Sequence, residues 1–285
     1  MPEENISGVV LTFFSTASSV GKTLISVNMA SELARQGYRV CLADYDLQFG
    51  DVCNYLKLPF ERSIKDIIDV MKRNPDASLK DQLTTYRYGT VSFDVVPSPE
   101  PMEDAYNVTV EDCKKLIERL RLMYDYVIVD TTSMFSVLNL AMLDLSTIVT
   151  FLGVVDFIPT IKNMKIGNDT VKTLNYDTNK IRLVLNRSDA KTRISMDDVE
   201  RLLGQGFYHV LPNDFQSASE SIVTGVPLAL SGSDNVLAKE IRVLISRYTN
   251  RVYKENADFT QTIHQSANTE YSGKRQNGWL SKLFH

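Results

Sequence analysis

The chain has 285 residues, of which 44% are hydrophobic and 23% charged, enough to bury a sizeable core and ordinary for a globular protein. Its 31 Lys and Arg residues against 35 Asp and Glu leave a net charge of −4, which disfavours a broad nucleic-acid-binding face. Three cysteines (Cys41, Cys53, Cys113) and three histidines (His209, His264, His285) are scattered without metal-ligand spacing, and the cysteines read as reduced thiols.

The N-terminus is acidic and polar, unlike a secretory signal. The longest apolar region, Leu138 to Phe157, is interrupted by Asp144 and Asp156, so it reads as core rather than a membrane span. The expected location is cytoplasmic.

VVLTFF (Val9–Phe14) reads as a buried strand, and a helix follows from about Gly21 to Gln36, with Ile25, Met29, Ala30 and Leu33 at helical spacing. Gly37 closes that helix, and YRVCLAD, ending at Asp44, is a second strand. A helix is expected over Ser63–Arg73, then a strand in VSFDVVP, then a helix over Thr109–Leu122. YDYVIVD (Tyr124–Asp130) and STIVTFLGVV are further apolar strands. A helical pattern from Asp156 to Leu174 leads to the strand IRLVLNR. Ser195 caps the next helix, whose first-turn acids Asp197 and Asp198 suit the helix dipole. FYHVLP and helices around Phe215–Thr224 and Asn235–Tyr248 complete the order. TTYRYGT, residues 84–90, reads as surface and receives no element.

Short buried strands alternating with helices predict an α/β fold, a doubly wound and mostly parallel sheet with helices on both faces. One domain is expected over residues 5–253, then a flexible polar linker over 254–277 and an amphipathic segment over 278–285.

Between the first strand and its helix lies STASSVGKT, ending in Gly21, Lys22 and Thr23. In a strand–loop–helix unit, backbone N–H groups and a helix N-terminus cradle phosphates, a lysine neutralises charge, and a Thr hydroxyl suits Mg²⁺. The strict GxxxxGK[ST] pattern is not met, because Thr16 sits at its first glycine. Asp44 and Asp46 end the second strand and Asp130 ends YDYVIVD, at the sheet edge where doubly wound folds bind ligands. Three such acids beside a GKT loop point to a Mg-nucleotide site.

The set SVGKT, DYDLQFGDV, YDYVIVD, VLNRSD and LPNDFQSASESIVTGVPL resembles the MinD/ParA family of deviant P-loop ATPases over about Val9 to Tyr248. DLQFGDV followed by YLKLP is most similar to the pilus-assembly, CpaE/TadZ-like branch. The resemblance implies a P-loop ATPase with ATP and Mg²⁺ as cofactors. It implies phosphate contacts from Ser18, Ser19, Val20, Gly21, Lys22 and Thr23. Asp46 would orient the attacking water, with Lys22 as the other catalytic group. Thr23, Asp44 and Asp130 would hold the metal, the two carboxylates through waters. Asn186 would read the adenine edge, with Pro212 and Asp214 beside the base.

The family's loop typically reads K-G-G-x-G-K-[ST], and its first lysine crosses a dimer to the partner's nucleotide. Ala17 stands at that lysine, and Ser18 and Ser19 replace the glycine pair. Serine supplies the same N–H groups but adopts positive φ at a cost of roughly 1 kcal/mol. The resemblance therefore implies nucleotide binding with weak or slow hydrolysis. The implied role is an ATP-linked homodimer that positions a pilus or secretion assembly. Its alternatives are an inactive scaffold of the same fold and, further off, a division-site or flagellar-number regulator. A tyrosine autokinase of the polysaccharide-export kind would need a C-terminal tyrosine cluster, whereas only Tyr271 follows Tyr253.

At the C-terminus, Trp279, Leu280, Leu283 and Phe284 share one helical face, with Lys282 opposite and Lys274 and Arg275 upstream. That pattern suits a weak interfacial anchor, so peripheral attachment to the inner face of the cell membrane is expected. It is similar to the membrane-targeting tail of MinD proteins.

Overall fold

The computed structural model describes residues 7–177, 179–188, 194–232 and 235–249. The expected linker and the Trp279, Leu280, Leu283 and Phe284 segment lie outside them. Eight strands form one sheet: β1 (Val9–Phe14), β2 (Val40–Asp44), β3 (Thr84–Tyr88), β4 (Val91–Val96), β5 (Tyr126–Asp130), β6 (Ile148–Gly153), β7 (Ile181–Leu185) and β8 (His209–Val210). Their spatial order is β3-β4-β2-β5-β1-β6-β7-β8, and only the β3–β4 pair is antiparallel. The expected doubly wound, mostly parallel architecture is the one found.

The strands are continuous apolar runs because both faces are covered. On one face Leu11, Phe13, Leu42, Ile128 and Val184 pack against α1 (Lys22–Arg35) and, through Ile241 and Leu244, against a C-terminal helix over Val236–Tyr248. Alternate residues Val10, Cys41, Ala43, Val127 and Val129 face the other way. There they meet Ile64, Ile67 and Ile68 of a helix over Ile64–Arg73 and Cys113, Leu116, Ile117 and Leu120 of a helix over Val110–Met123. Farther along that face Phe14, Phe151 and Leu183 pack against helices over Ile158–Thr173 and Met196–Leu203.

Two expectations are corrected and a third gains detail. TTYRY is not irregular surface but the edge strand β3, joined to β4 by a tight turn at Gly89, whose φ is 58°. Alternation explains it: Tyr86 is buried against Phe93 and donates its hydroxyl to Gly225 O at 3.0 Å, while Arg87 faces water. The apolar region after Leu138 is core, but Ser146 splits it into a helix over Val137–Leu145 and β6. Ser146 Oγ bonds both Met142 O and Thr12 Oγ1, which ends the helix and docks it to β1. FYHVLP shrinks to the two residues of β8, beyond which Pro212 brings no ladder donor. Short helices over Val52–Leu56 and Met102–Tyr106 were also not expected. Among the described residues no helix is long and apolar enough to cross a membrane.

Candidate nucleotide site

Parallel pairing aligns the C-terminal ends of β2, β5 and β1, with Asp44 beside Asp130 and Asp130 beside Phe13. The loop leaving β1 opens on this edge. Ser15 Oγ donates to Ala17 O at 2.9 Å and accepts from Ala17 N–H at 3.0 Å, turning the chain at once. Ser19 (φ 58°) and Gly21 (φ 97°) are both left-handed. At Gly21 the glycine is needed twice, since a Cβ there would also lie 2.6 Å from Asn186 Nδ2.

Two side chains fix the loop from outside. Arg187 Nη2 donates to Ser19 O at 3.0 Å, and buried Asn186 donates Nδ2 to Val20 O at 2.8 Å. Because a trans peptide sets its C=O and the next N–H on opposite sides, the N–H groups of Val20 and Gly21 point away from Arg187 and Asn186. The first-turn N–H groups of α1 extend that row, and Gly21 offers them no side-chain cap. Ser18 and Ser19 stand exposed at the tip, and Val20 is buried as an anchor.

Inside the edge, Thr23 Oγ1 donates to Asp130 Oδ2 at 2.6 Å, and Lys22 Nζ donates to Ser133 Oγ at 2.6 Å. Burial lowers the Lys22 pKa, offset in part by the charges of Asp130 and Asp46. Asp44 is pushed well above the carboxylate range by burial and then by the charge of Asp130, despite N–H bonds from Val52 and Asp46. Asp130 is pushed up to about 6 by burial, against the Thr23 hydrogen bond and Lys22. Gly50 lets the next loop close on this pair, because a Cβ there would lie 2.4 Å from Asp44 Oδ2. Asp46 accepts from Phe49 N–H at 3.1 Å, in the loop just beyond Asp44.

The residues fit a magnesium ion delivered with a nucleotide. Asp130 Oδ1 is buried without a hydrogen-bond partner, next to the Thr23 hydroxyl and within the field of Asp44. Among the described residues no three His, Cys, Asp or Glu side chains converge as a metal cage. Mg²⁺ needs none, since it is usually held by one or two carboxylates, substrate phosphates and water.

On the far side of the loop, Ser188 N–H donates to Leu211 O at 3.1 Å, so the segments carrying Asn186 and Pro212 lie side by side. Pro212 is buried. Asp214 caps the helix over Phe215–Thr224 by accepting from Ser217 N–H at 3.0 Å. Three contributors were not singled out in the sequence: Ser133, Arg187 and Asn139. Asn139 is buried and donates Nδ2 to Thr132 Oγ1 at 2.7 Å and Met134 O at 2.6 Å, which fixes the loop that presents Ser133. Only proximity to Asp130 and Asn186 in the chain could have flagged Ser133 and Arg187; nothing local marks Asn139.

The model of the CobQ/CobB/MinD/ParA nucleotide binding domain matches residues 11–228. The chain is similar to the septum site-determining protein MinD of Bacillus subtilis, 30% identical over 126 residues, 43% of this chain and 44% of that protein. It is similar to MinD of Thermotoga maritima at 24% identity, over 82% of this chain and 88% of that one. Among solved structures, a ParA family ATPase from Chlorobium tepidum superposes with a TM-score of 0.76 at 23% identity, covering 84% of this chain and 99% of the other.

Proposed function

Because the chain belongs to the CobQ/CobB/MinD/ParA nucleotide-binding family, we propose that it is a Mg-ATP-binding positioning factor that dimerises around nucleotide. The observation that carries this reading is the Thr23–Asp130 hydrogen bond beside Lys22, at the start of the helix that follows the loop. Lys22 and the N–H groups from Ser18 to Thr23 hold the phosphates. Thr23, with Asp44 and Asp130 through waters, holds Mg²⁺, which supplies charge neutralisation to the phosphates when bound. Asp46 orients the attacking water, and Asn186, Pro212 and Asp214 flank the base.

The loop is of the deviant kind, and Ala17 at the position of the bridging lysine supports slow turnover, a timer rather than a motor. ATP then acts by population shift, favouring a dimer whose exposed surface differs from the monomer's. The folded domain spans residues 5–253, and the segment over 278–285 attaches the dimer to a membrane surface, two weak anchors acting together.

DLQFGDV and YLKLP support a pilus or secretion assembly as the object positioned. A second reading, division-site placement, is favoured by relatives named septum site-determining protein MinD. Pull-down of the tagged chain with ATP distinguishes them by whether pilus and secretion components or division proteins are retained.

Calorimetry with Mg-ATP tests the core of the proposal. Wild type is expected to bind and Lys22→Ala to lose at least tenfold, as removal of a charge-assisted phosphate contact implies. Phosphate release followed in parallel should be slow and should stop in Asp46→Ala. No binding at millimolar ATP would reduce the chain to a scaffold.

A further inference from the structure

Lys22 meets a hydroxyl that the sequence did not mark. Its Nζ donates to Ser133 Oγ at 2.6 Å. An ammonium has only protons to give, so Ser133 Oγ is the acceptor and keeps its own hydroxyl proton. Among the described residues that proton meets no acceptor, and the side chain is only half-buried.

The backbone that carries Ser133 is held on both sides. Thr131 Oγ1 donates to Phe13 O at 2.6 Å, tying the segment to the strand from which the phosphate loop departs. Buried Asn139, on the helix over Val137–Leu145, holds the residue before Ser133 through Thr132 Oγ1 and the residue after it through Met134 O. None of these bonds uses the Ser133 side chain, so its hydroxyl is presented on a fixed loop. The charges that act on the Lys22 ammonium are those of Asp130 and Asp46. Ser133 therefore meets Lys22 on the side of the proposed metal and water-orienting acids, where a terminal phosphate would be cleaved.

We propose that Ser133 is a nucleotide-contacting residue, donating its hydroxyl proton to the terminal phosphate of ATP while it accepts from Lys22. The inference rests on the nucleotide reading above and adds to it a preference for triphosphate over diphosphate. Two acceptors of one ammonium stand about 4–5 Å apart, because its N–H bonds diverge tetrahedrally and each acceptor lies roughly 2.8 Å from the nitrogen. A phosphate group held by Lys22 through one oxygen has others to set into that gap, within hydrogen-bond reach of Ser133. A diphosphate leaves the Ser133 hydroxyl without that partner.

The test is titration of the full chain with Mg-ATP and with Mg-ADP, for wild type, Ser133→Ala, Ser133→Thr and Lys22→Ala. Loss of a hydrogen bond to a charged group predicts roughly five- to tenfold weaker Mg-ATP binding in Ser133→Ala, with Mg-ADP affinity within about twofold of wild type. Ser133→Thr keeps the hydroxyl and should recover most of the loss. Both Ser133 variants should keep a cooperative melting transition without nucleotide. If Ser133→Ala binds Mg-ATP as wild type does, or loses affinity equally for both nucleotides, Ser133 only holds the ammonium and the inference is overturned. If wild type binds neither nucleotide, or Lys22→Ala binds equally well, the nucleotide reading itself has failed and Ser133 falls with it.

Discussion

Asp130 concentrates the conflict between stability and chemistry in one side chain. Its carboxylate is fully buried, one oxygen has no hydrogen-bond partner, and burial pushes its pKa from 3.8 up to about 6. A carboxyl whose folded pKa is raised favours the folded state while protonated. The contribution is present below about pH 4 and is lost as pH rises through 6. The shift corresponds to on the order of 3 kcal/mol at neutral pH, an upper value because Asp44 titrates with it. Asp130→Asn keeps an acceptor for Thr23 and removes the charge. Its nucleotide-free form should be more stable than wild type by roughly 1–3 kcal/mol at pH 7.5, with the gap closing toward pH 4.5. Denaturant unfolding at the two pH values measures this, and an unchanged gap would separate the effect from titration. The same variant should lose the Mg²⁺ dependence of nucleotide binding. Asp130 was legible in the sequence because an apolar run ends on an acid, a local pattern. Ser133 and Arg187 were not, because their roles come from which carbonyl and which ammonium the fold sets opposite them.

Between elements, a buried relay of hydroxyls ties the nucleotide helix to the segment after the base loop. Asn28 on α1 donates toward Tyr55 Oη at 3.5 Å, Tyr55 meets Ser221 Oγ at 2.6 Å, and Ser221 donates to Val226 O at 2.6 Å. Ser221 has a single proton and gives it to Val226, so Tyr55 is the donor between them. Asn28 Oδ1 also accepts from Ala229 N–H at 2.9 Å, closing a second link. Ser221→Ala should cost about 1–3 kcal/mol, since it strands the buried Tyr55 hydroxyl, and Tyr55→Phe about 0.5–1.5 kcal/mol, since Ser221 keeps Val226 O and Asn28 keeps Leu24 O. The double variant should cost less than the sum, because the second change removes a group already stranded. A double-mutant cycle by thermal or urea unfolding reads this, and strict additivity would show two independent bonds. No sequence pattern announces such a relay. What was legible at this scale were elements with a strong period: β1, α1 and β5 fall within a few residues of their expected bounds. The β3 hairpin was missed because its alternation is carried by tyrosines flanking an arginine, which read equally well as surface.

Over the whole molecule, large exposed apolar side chains gather at one edge. Phe49, Met134, Val137, Phe157 and Phe215 are 71%, 59%, 73%, 68% and 76% exposed. Each follows the C-terminal end of a parallel strand, β2, β5, β6 or β8, on the edge that carries the phosphate loop. Apolar groups this exposed around a charged hollow mark a surface that is covered in use. On the proposed function, a second copy meeting this edge would bury them together with both nucleotides, and dimerisation is then expected to be conditional on ATP. Phe157→Glu should leave Mg-ATP affinity within about twofold, since that residue caps the helix after β6 outside the loop, yet it places a charge in the contact. Light scattering after size exclusion should show wild type shifting to dimer with Mg-ATP but not Mg-ADP, and the variant staying monomeric in both. If residues 278–285 anchor the chain as proposed, membrane attachment should follow the same switch, since two weak anchors act together. Wild type should therefore co-sediment with anionic vesicles only with Mg-ATP, while Phe157→Glu and a chain ending at Asn277 remain in the supernatant. Equal sedimentation of all three would detach the membrane from the nucleotide, and a wild-type monomer in Mg-ATP would leave this edge to a different partner.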